Sequence, residues 1–87
     1  MKFSKAKIPG LIICEPLKIN DERGFFTESF RKDLFEDFIG SKINFCQENL
    51  SNSNYGVLRG LHFQIEPYAQ SKLVSVLKGK ILDVVID

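Results

Sequence analysis

The fold turns on Ser71-Lys72-Leu73-Val74-Ser75-Val76-Leu77, then Lys78-Gly79-Lys80, then Ile81-Leu82-Asp83-Val84-Val85-Ile86-Asp87. Two β-branched, apolar runs joined by a tight Gly-containing connection read as a β-hairpin. Working back, Val57 to Gln64 reads as another strand, closed off by Pro67. Asn44 to Leu50 alternates, with Phe45, Gln47 and Asn49 on one face and Cys46, Glu48 and Leu50 on the other. Ser51-Asn52-Ser53-Asn54-Tyr55-Gly56 is a loop. Further back, Leu11 to Ile19 is apolar and β-branched but broken by Glu15-Pro16, so it is an edge strand or one that bends at Pro16. Ile8-Pro9-Gly10 and Asn20-Asp21-Glu22-Arg23-Gly24 are turns, and Phe25 to Phe30 is a short strand. Leu34, Phe35, Phe38 and Ile39 recur at helical spacing before Gly40, which predicts one short helix over Arg31 to Ile39. Many short strands at near-regular spacing predict an all-β sandwich or barrel.

The chain has 87 residues, room for a single domain. With 44% hydrophobic and 26% charged residues and eight Phe, it has the composition of a folded protein. A chain this short buries only about 60–65% of its unfolded surface, so it needs help from a disulfide, a metal or a partner. Two Cys, Cys14 and Cys46, stand in no metal-ligand spacing beside a single His, so the expected help is a partner chain or further residues of the same fold. The last strand, Ile81 to Asp87, reads as unfinished, and the expectation is a domain cut within a strand.

Twelve Lys and Arg against eleven Asp and Glu leave a net charge of +1, spread evenly. Nucleic-acid binding needs a concentrated positive field and is not expected. No apolar run approaches the roughly 20 residues that span a bilayer. Met1-Lys2-Phe3-Ser4-Lys5 has no apolar stretch after its charges, unlike a secretion signal. Two scattered thiols then fit a reducing cytoplasm, with a single disulfide as the alternative.

His62 lies in Arg59-Gly60-Leu61-His62-Phe63-Gln64. A lone His in a strand is more often structural, but Gly60 beside it suits a bulge or close approach of a ligand. If the strands pack in sequence, one concave face holds His62, Lys72, Arg59, Gln47 and Asn49, a set too polar for a core and suited to an oxygen-rich anion. Arg59 and His62 are three apart, so strict alternation separates them unless Gly60 shifts the register. The Asp21 to Gly24 turn reads blandly as solvated, with local ion pairing. Glu28 follows two Phe and needs a partner, with Arg23 the nearest candidate. Phe25, Phe26 and Phe30 read as core aromatics, and Tyr55 and Tyr68 as surface residues. Asp83 either orients His62 or faces outward. One His without clustered Cys makes a metal site unexpected, and no glycine-rich phosphate loop is present.

Four runs together resemble the dTDP-4-dehydrorhamnose 3,5-epimerase family. They are Asp21-Glu22-Arg23-Gly24-Phe25-Phe26, Gln47-Glu48-Asn49 with its Ser-Asn loop, Gly56-Val57-Leu58-Arg59-Gly60-Leu61-His62-Phe63-Gln64, and Ala69-Gln70-Ser71-Lys72-Leu73-Val74. The resemblance implies a cupin-type jelly roll, a homodimer, epimerisation without a cofactor and a dTDP-sugar substrate on the route to dTDP-L-rhamnose for cell-surface polysaccharide. It places His62 as the base and Lys72 as the stabiliser of the enolate oxygen. It places Arg23, Glu28, Gln47, Glu48, Asn49 and Arg59 on the sugar nucleotide, with Phe26 near it.

The resemblance covers about half the usual length of that family. The family's acid Tyr and the Asp that orients its His match no residue here, since neither Tyr55 nor Tyr68 occupies the place. The expectation is therefore an epimerase sequence that is inactive or nearly so as these 87 residues. The alternatives are a sugar-nucleotide-binding fragment without catalysis, a remnant without function, and an epimerase for another dTDP-ketosugar.

Overall fold

A computed structural model describes residues 1–87. Its contacts divide into two compact units, Met1–Glu48 and Asn49–Asp87. The first is built from two antiparallel strand pairs and one helix. The strands are β1 (Lys2–Lys5), β2 (Ile12–Glu15), β3 (Lys18–Asp21) and β4 (Gly24–Thr27), followed by α1 (Lys32–Ile39). All the sheet is antiparallel and the single helix is short, which agrees with the all-β expectation.

Pro16 cuts the 11–19 run, since its ring lacks the ladder donor. β2 ends at Glu15, pairing back on β1 with Phe3 opposite Cys14. β3 starts at Lys18 and pairs with β4 instead, with Ile19 opposite Phe26 and Asn20 opposite Phe25. Thr27 Oγ1 donates to the Leu17 carbonyl at 2.8 Å and closes the open end of that hairpin.

The core is a ring cluster gathered by α1. Phe35, the one buried large side chain, meets Phe3 at 5.9 Å, Phe30 at 5.8 Å and Phe45 at 6.3 Å between centroids. Phe3 also stacks on Phe38 at 5.4 Å. The helix starts after Arg31, whose carbonyl accepts from Phe35 N at 3.0 Å, and Asp33 places a negative charge in its first turn, where the helix dipole favours it. It ends at Gly40, which takes φ 75° and donates its N–H to the Glu36 carbonyl at 2.8 Å. That left-handed conformation is one a side chain would resist, so the predicted cap is met in detail. Beyond it, Glu36 Oε2 accepts from Ile43 N at 2.8 Å and turns the chain back, so that Phe45 rejoins the rings.

Two expectations are corrected in this unit. Phe25 and Phe26 are not core: they are 62% and 66% exposed, because they point to opposite faces of the β3–β4 hairpin and neither face is covered. Of the three rings expected inside, only Phe30 joins the cluster.

The second unit departs further from expectation. Residues 57–64, 71–77 and 81–87 form no strand, nor do residues 44–50, which run across the boundary of the two units in sequence, and the chain only bends at residues 77–79 where the hairpin is expected. A helix satisfies its backbone within itself, whereas a strand exists only against a partner. The propensity of these segments is high, but propensity reports fit to a neighbouring pleated surface. Without a ladder, Phe63, Leu82 and Ile86 stay exposed.

Candidate functional site

Arg23, Phe26 and Glu28 come from the β3–β4 hairpin and the residues just after it. Asp21 Oδ1 accepts from Arg23 N at 2.8 Å, an Asx-type turn that fixes the hairpin tip. The guanidinium then folds over the same carboxylate, with Nη2 at 2.7 Å and Nε at 3.2 Å from Oδ2. These bonds hold the Asp21 carboxyl below its ordinary value. The local ion pairing expected of this turn is what forms.

Glu28 finds its partner elsewhere than expected. Arg23 is engaged by Asp21, and Arg31 donates Nη1 to Glu28 Oε2 at 3.1 Å. Arg31 in turn is held by Asp33, with Nε on Oδ1 at 2.9 Å and Nη2 on Oδ2 at 2.6 Å. Asp33 is kept below the usual carboxylate range by that guanidinium, and the two carboxylates push Arg31 further up. Helical spacing marks Arg31 only as the start of a helix, and its distance of three residues from Glu28 is the signal for this pair.

Phe26 and Glu28 line a concavity of about 80 Å³ together with Met1, Leu17 and Ile19. Pockets for drug-sized ligands run to roughly 300–1,000 Å³, so this hollow by itself is smaller than such a pocket. Gln47 and Glu48 close the first unit, exposed, and Gln47 is engaged in a polar or ring interaction.

In the second unit, Asn49 is likewise engaged. Arg59 is seated in the loop before it: Nε donates to Ser53 Oγ at 2.9 Å and Nη2 to the Asn52 carbonyl at 3.2 Å. Gly60 takes φ 110° outside any ladder, so it is not the expected bulge, and strict strand alternation does not govern Arg59 and His62. His62 and Lys72 are exposed, and no hydrogen bond or ion pair joins either of them to Arg59 or Asp83. The shared concave face expected of these residues needs paired strands, and residues 57–64 and 71–77 are unpaired. Tyr55 and Tyr68 are exposed, as expected of loop residues.

Both cysteines are free thiols, so the alternative of a single disulfide is not met. Cys14, opposite Phe3, is half-buried, and desolvation pushes its thiol up. No helix is long and apolar enough to cross a membrane.

Comparison with known proteins gives one consistent result. The model of the dTDP-4-dehydrorhamnose 3,5-epimerase family matches residues 5–87. A dTDP-4-dehydrorhamnose 3,5-epimerase of Shigella flexneri is 52% identical over 100% of this chain and 48% of its own length. That of Salmonella typhimurium is 49% identical over 95% of this chain and 45% of its own length. A dTDP-4-dehydrorhamnose 3-epimerase of Streptomyces niveus is 37% identical over 100% of this chain and 42% of its own length. No solved structure matches. The chain spans about half the length of the curated relatives it matches.

Proposed function

The chain belongs to the dTDP-4-dehydrorhamnose 3,5-epimerase family, and from that premise we propose that it serves the epimerisation of dTDP-4-dehydro-6-deoxyglucose at C3 and C5. The ketone at C4 makes both neighbouring C–H bonds acidic. His62 takes the proton, because a neutral imidazole has a ring nitrogen that accepts a proton and can return it. The electron pair of the broken C–H bond moves to the C4 oxygen, and the Lys72 ammonium stabilises the enolate there. Inversion then needs a proton delivered from the opposite face. No residue among the 87 matches the family's acid Tyr, so fast inversion takes a proton donor that these residues do not supply. The reaction uses no cofactor, since the substrate's own carbonyl holds the electron pair.

Arg23, Glu28, Gln47, Glu48, Asn49 and Arg59 bind the sugar nucleotide, with Phe26 beside it. Arg suits a diphosphate through its planar set of donors. The 87 residues form one part of a single cupin-type jelly roll that acts as a cytoplasmic homodimer on the way to dTDP-L-rhamnose and polysaccharide. In that setting 57–64, 71–77 and 81–87 become laddered strands, and His62, Lys72 and Arg59 share a face. The family match across residues 5–87, with all these residues inside it, carries the reading. The Streptomyces niveus relative, named a 3-epimerase, favours a second one: action at C3 alone on a related dTDP-ketosugar.

Calorimetric titration of dTDP into the chain tests the proposal. Saturable heat that shrinks as salt rises is expected, since diphosphate binding is partly ionic. No heat with dTDP would overturn it.

A further inference from the structure

The chain's three arginines are held in two different ways. Arg23 lies on the Asp21 carboxylate and Arg31 lies between Asp33 and Glu28, so both spend their charge on neighbouring anions. Arg59 is held only by neutral oxygens, the Ser53 hydroxyl at 2.9 Å and the Asn52 carbonyl at 3.2 Å. A guanidinium carries five N–H donors. The loop occupies Nε and one proton of Nη2, and the Nη1–Nη2 end of the planar group, with one proton from each nitrogen, carries no bond to the loop.

The loop is shaped for this. Val57 N donates to the Asn54 carbonyl at 3.3 Å across Tyr55 and Gly56, and Gly56 takes φ 82°. A turn with a positive φ at its third position admits Gly with least strain. The reversal lets Ser53, six residues earlier in the chain, reach the Arg59 side chain.

We propose that Ser53 is a positioning residue for Arg59: its hydroxyl fixes one edge of the guanidinium and leaves the Nη1–Nη2 end, with its charge uncompensated, for a phosphate of the sugar nucleotide. This rests on the reading of Arg59 as a diphosphate-binding residue. A flexible arginine loses rotamer freedom when it binds, and holding it beforehand removes part of that cost. A neutral clamp does so without cancelling the charge, which a carboxylate would do.

The test compares dTDP with thymidine, which lacks phosphate, by calorimetry on the full chain. Ser53→Ala is expected to weaken dTDP binding about five- to tenfold, the worth of roughly one hydrogen bond, and to leave thymidine binding unchanged. Ser53→Thr, which keeps the hydroxyl, restores the affinity. Adding Ser53→Ala to Arg59→Gln produces no further loss, because the two residues act as one unit. Should Ser53→Ala leave dTDP binding intact while Arg59→Gln weakens it, or weaken thymidine equally, Ser53 is not positioning Arg59. Arg59→Gln without effect, or no dTDP binding by the unsubstituted chain, overturns the underlying reading and this inference with it.

Discussion

Arg31 and Asp33 form a two-bond fork, Nε on Oδ1 at 2.9 Å and Nη2 on Oδ2 at 2.6 Å, at the start of the only helix. The remaining arm of Arg31 reaches back to Glu28 at 3.1 Å. One guanidinium thus ties the end of the β3–β4 hairpin to the first turn of α1. The groups are exposed, so the link orders the connection more than it stabilises the fold.

This fork makes the first unit sensitive to acid in a defined direction. The folded Asp33 and Asp21 carboxyls are held below their ordinary values by Arg31 and Arg23. A depressed folded pKa adds stability that is present above the unfolded value, about 3.9, and is lost as pH falls through the folded one. The helix signal in circular dichroism should therefore hold from neutral pH to roughly pH 4 and decline below it. Asp33→Asn has already lost its share at neutral pH, so its decline should be shallower. An acid loss of equal size in the variant would contradict the link.

Phe35 carries the packing of the first unit, and the rings on the open hairpin do not. Phe35→Ala should cost about 3–5 kcal/mol in denaturant unfolding followed by the helix signal, enough to unfold a unit this small. Phe25→Ala should cost about 0.5 kcal/mol or less, since that ring is 62% exposed. Similar losses from both would place the core elsewhere.

The two thiols should react at different rates. Cys46 is exposed, while Cys14 sits opposite Phe3, half-buried and with a raised pKa that keeps it protonated. The thiolate is the reacting form, so iodoacetamide should label Cys46 first and Cys14 fully only after denaturation. Mass spectrometry of timed digests reads the order, and equal rates on the native chain would contradict the placement of Cys14.

What was legible in the residues was local. Pro16 breaks the run at 11–19, and β2 and β3 stop and start on either side of it. The spacing of Leu34, Phe35 and Phe38 before Gly40 set the helix to within one residue. What was not legible depends on partners distant in sequence. The runs at 57–64, 71–77 and 81–87 carry strand propensity, but a ladder needs a second strand and none pairs with them. Glu28 had two arginines within reach, and only the Asx turn at Asp21, which captures Arg23, leaves Arg31 for it. The Ser53–Arg59 bond was hidden for a similar reason, since a turn at Gly56 brings the two together. Residue type and motif single out His62, Lys72 and Arg59, while their common face depends on strand pairing.

Proton exchange at the substrate tests the central claim most directly. The chain is mixed with dTDP-4-dehydro-6-deoxyglucose in D2O, and the C3 and C5 hydrogens are followed by proton NMR. With His62 as base and Lys72 on the enolate oxygen, deuterium should enter at C3, and at C5 if both positions are served. Inverted product should form roughly 10²–10⁴-fold more slowly than with a complete acid–base pair. His62→Asn should abolish the exchange. Binding of the nucleotide with no exchange at either carbon, or exchange that survives His62→Asn, would contradict the assignment of His62 as the base.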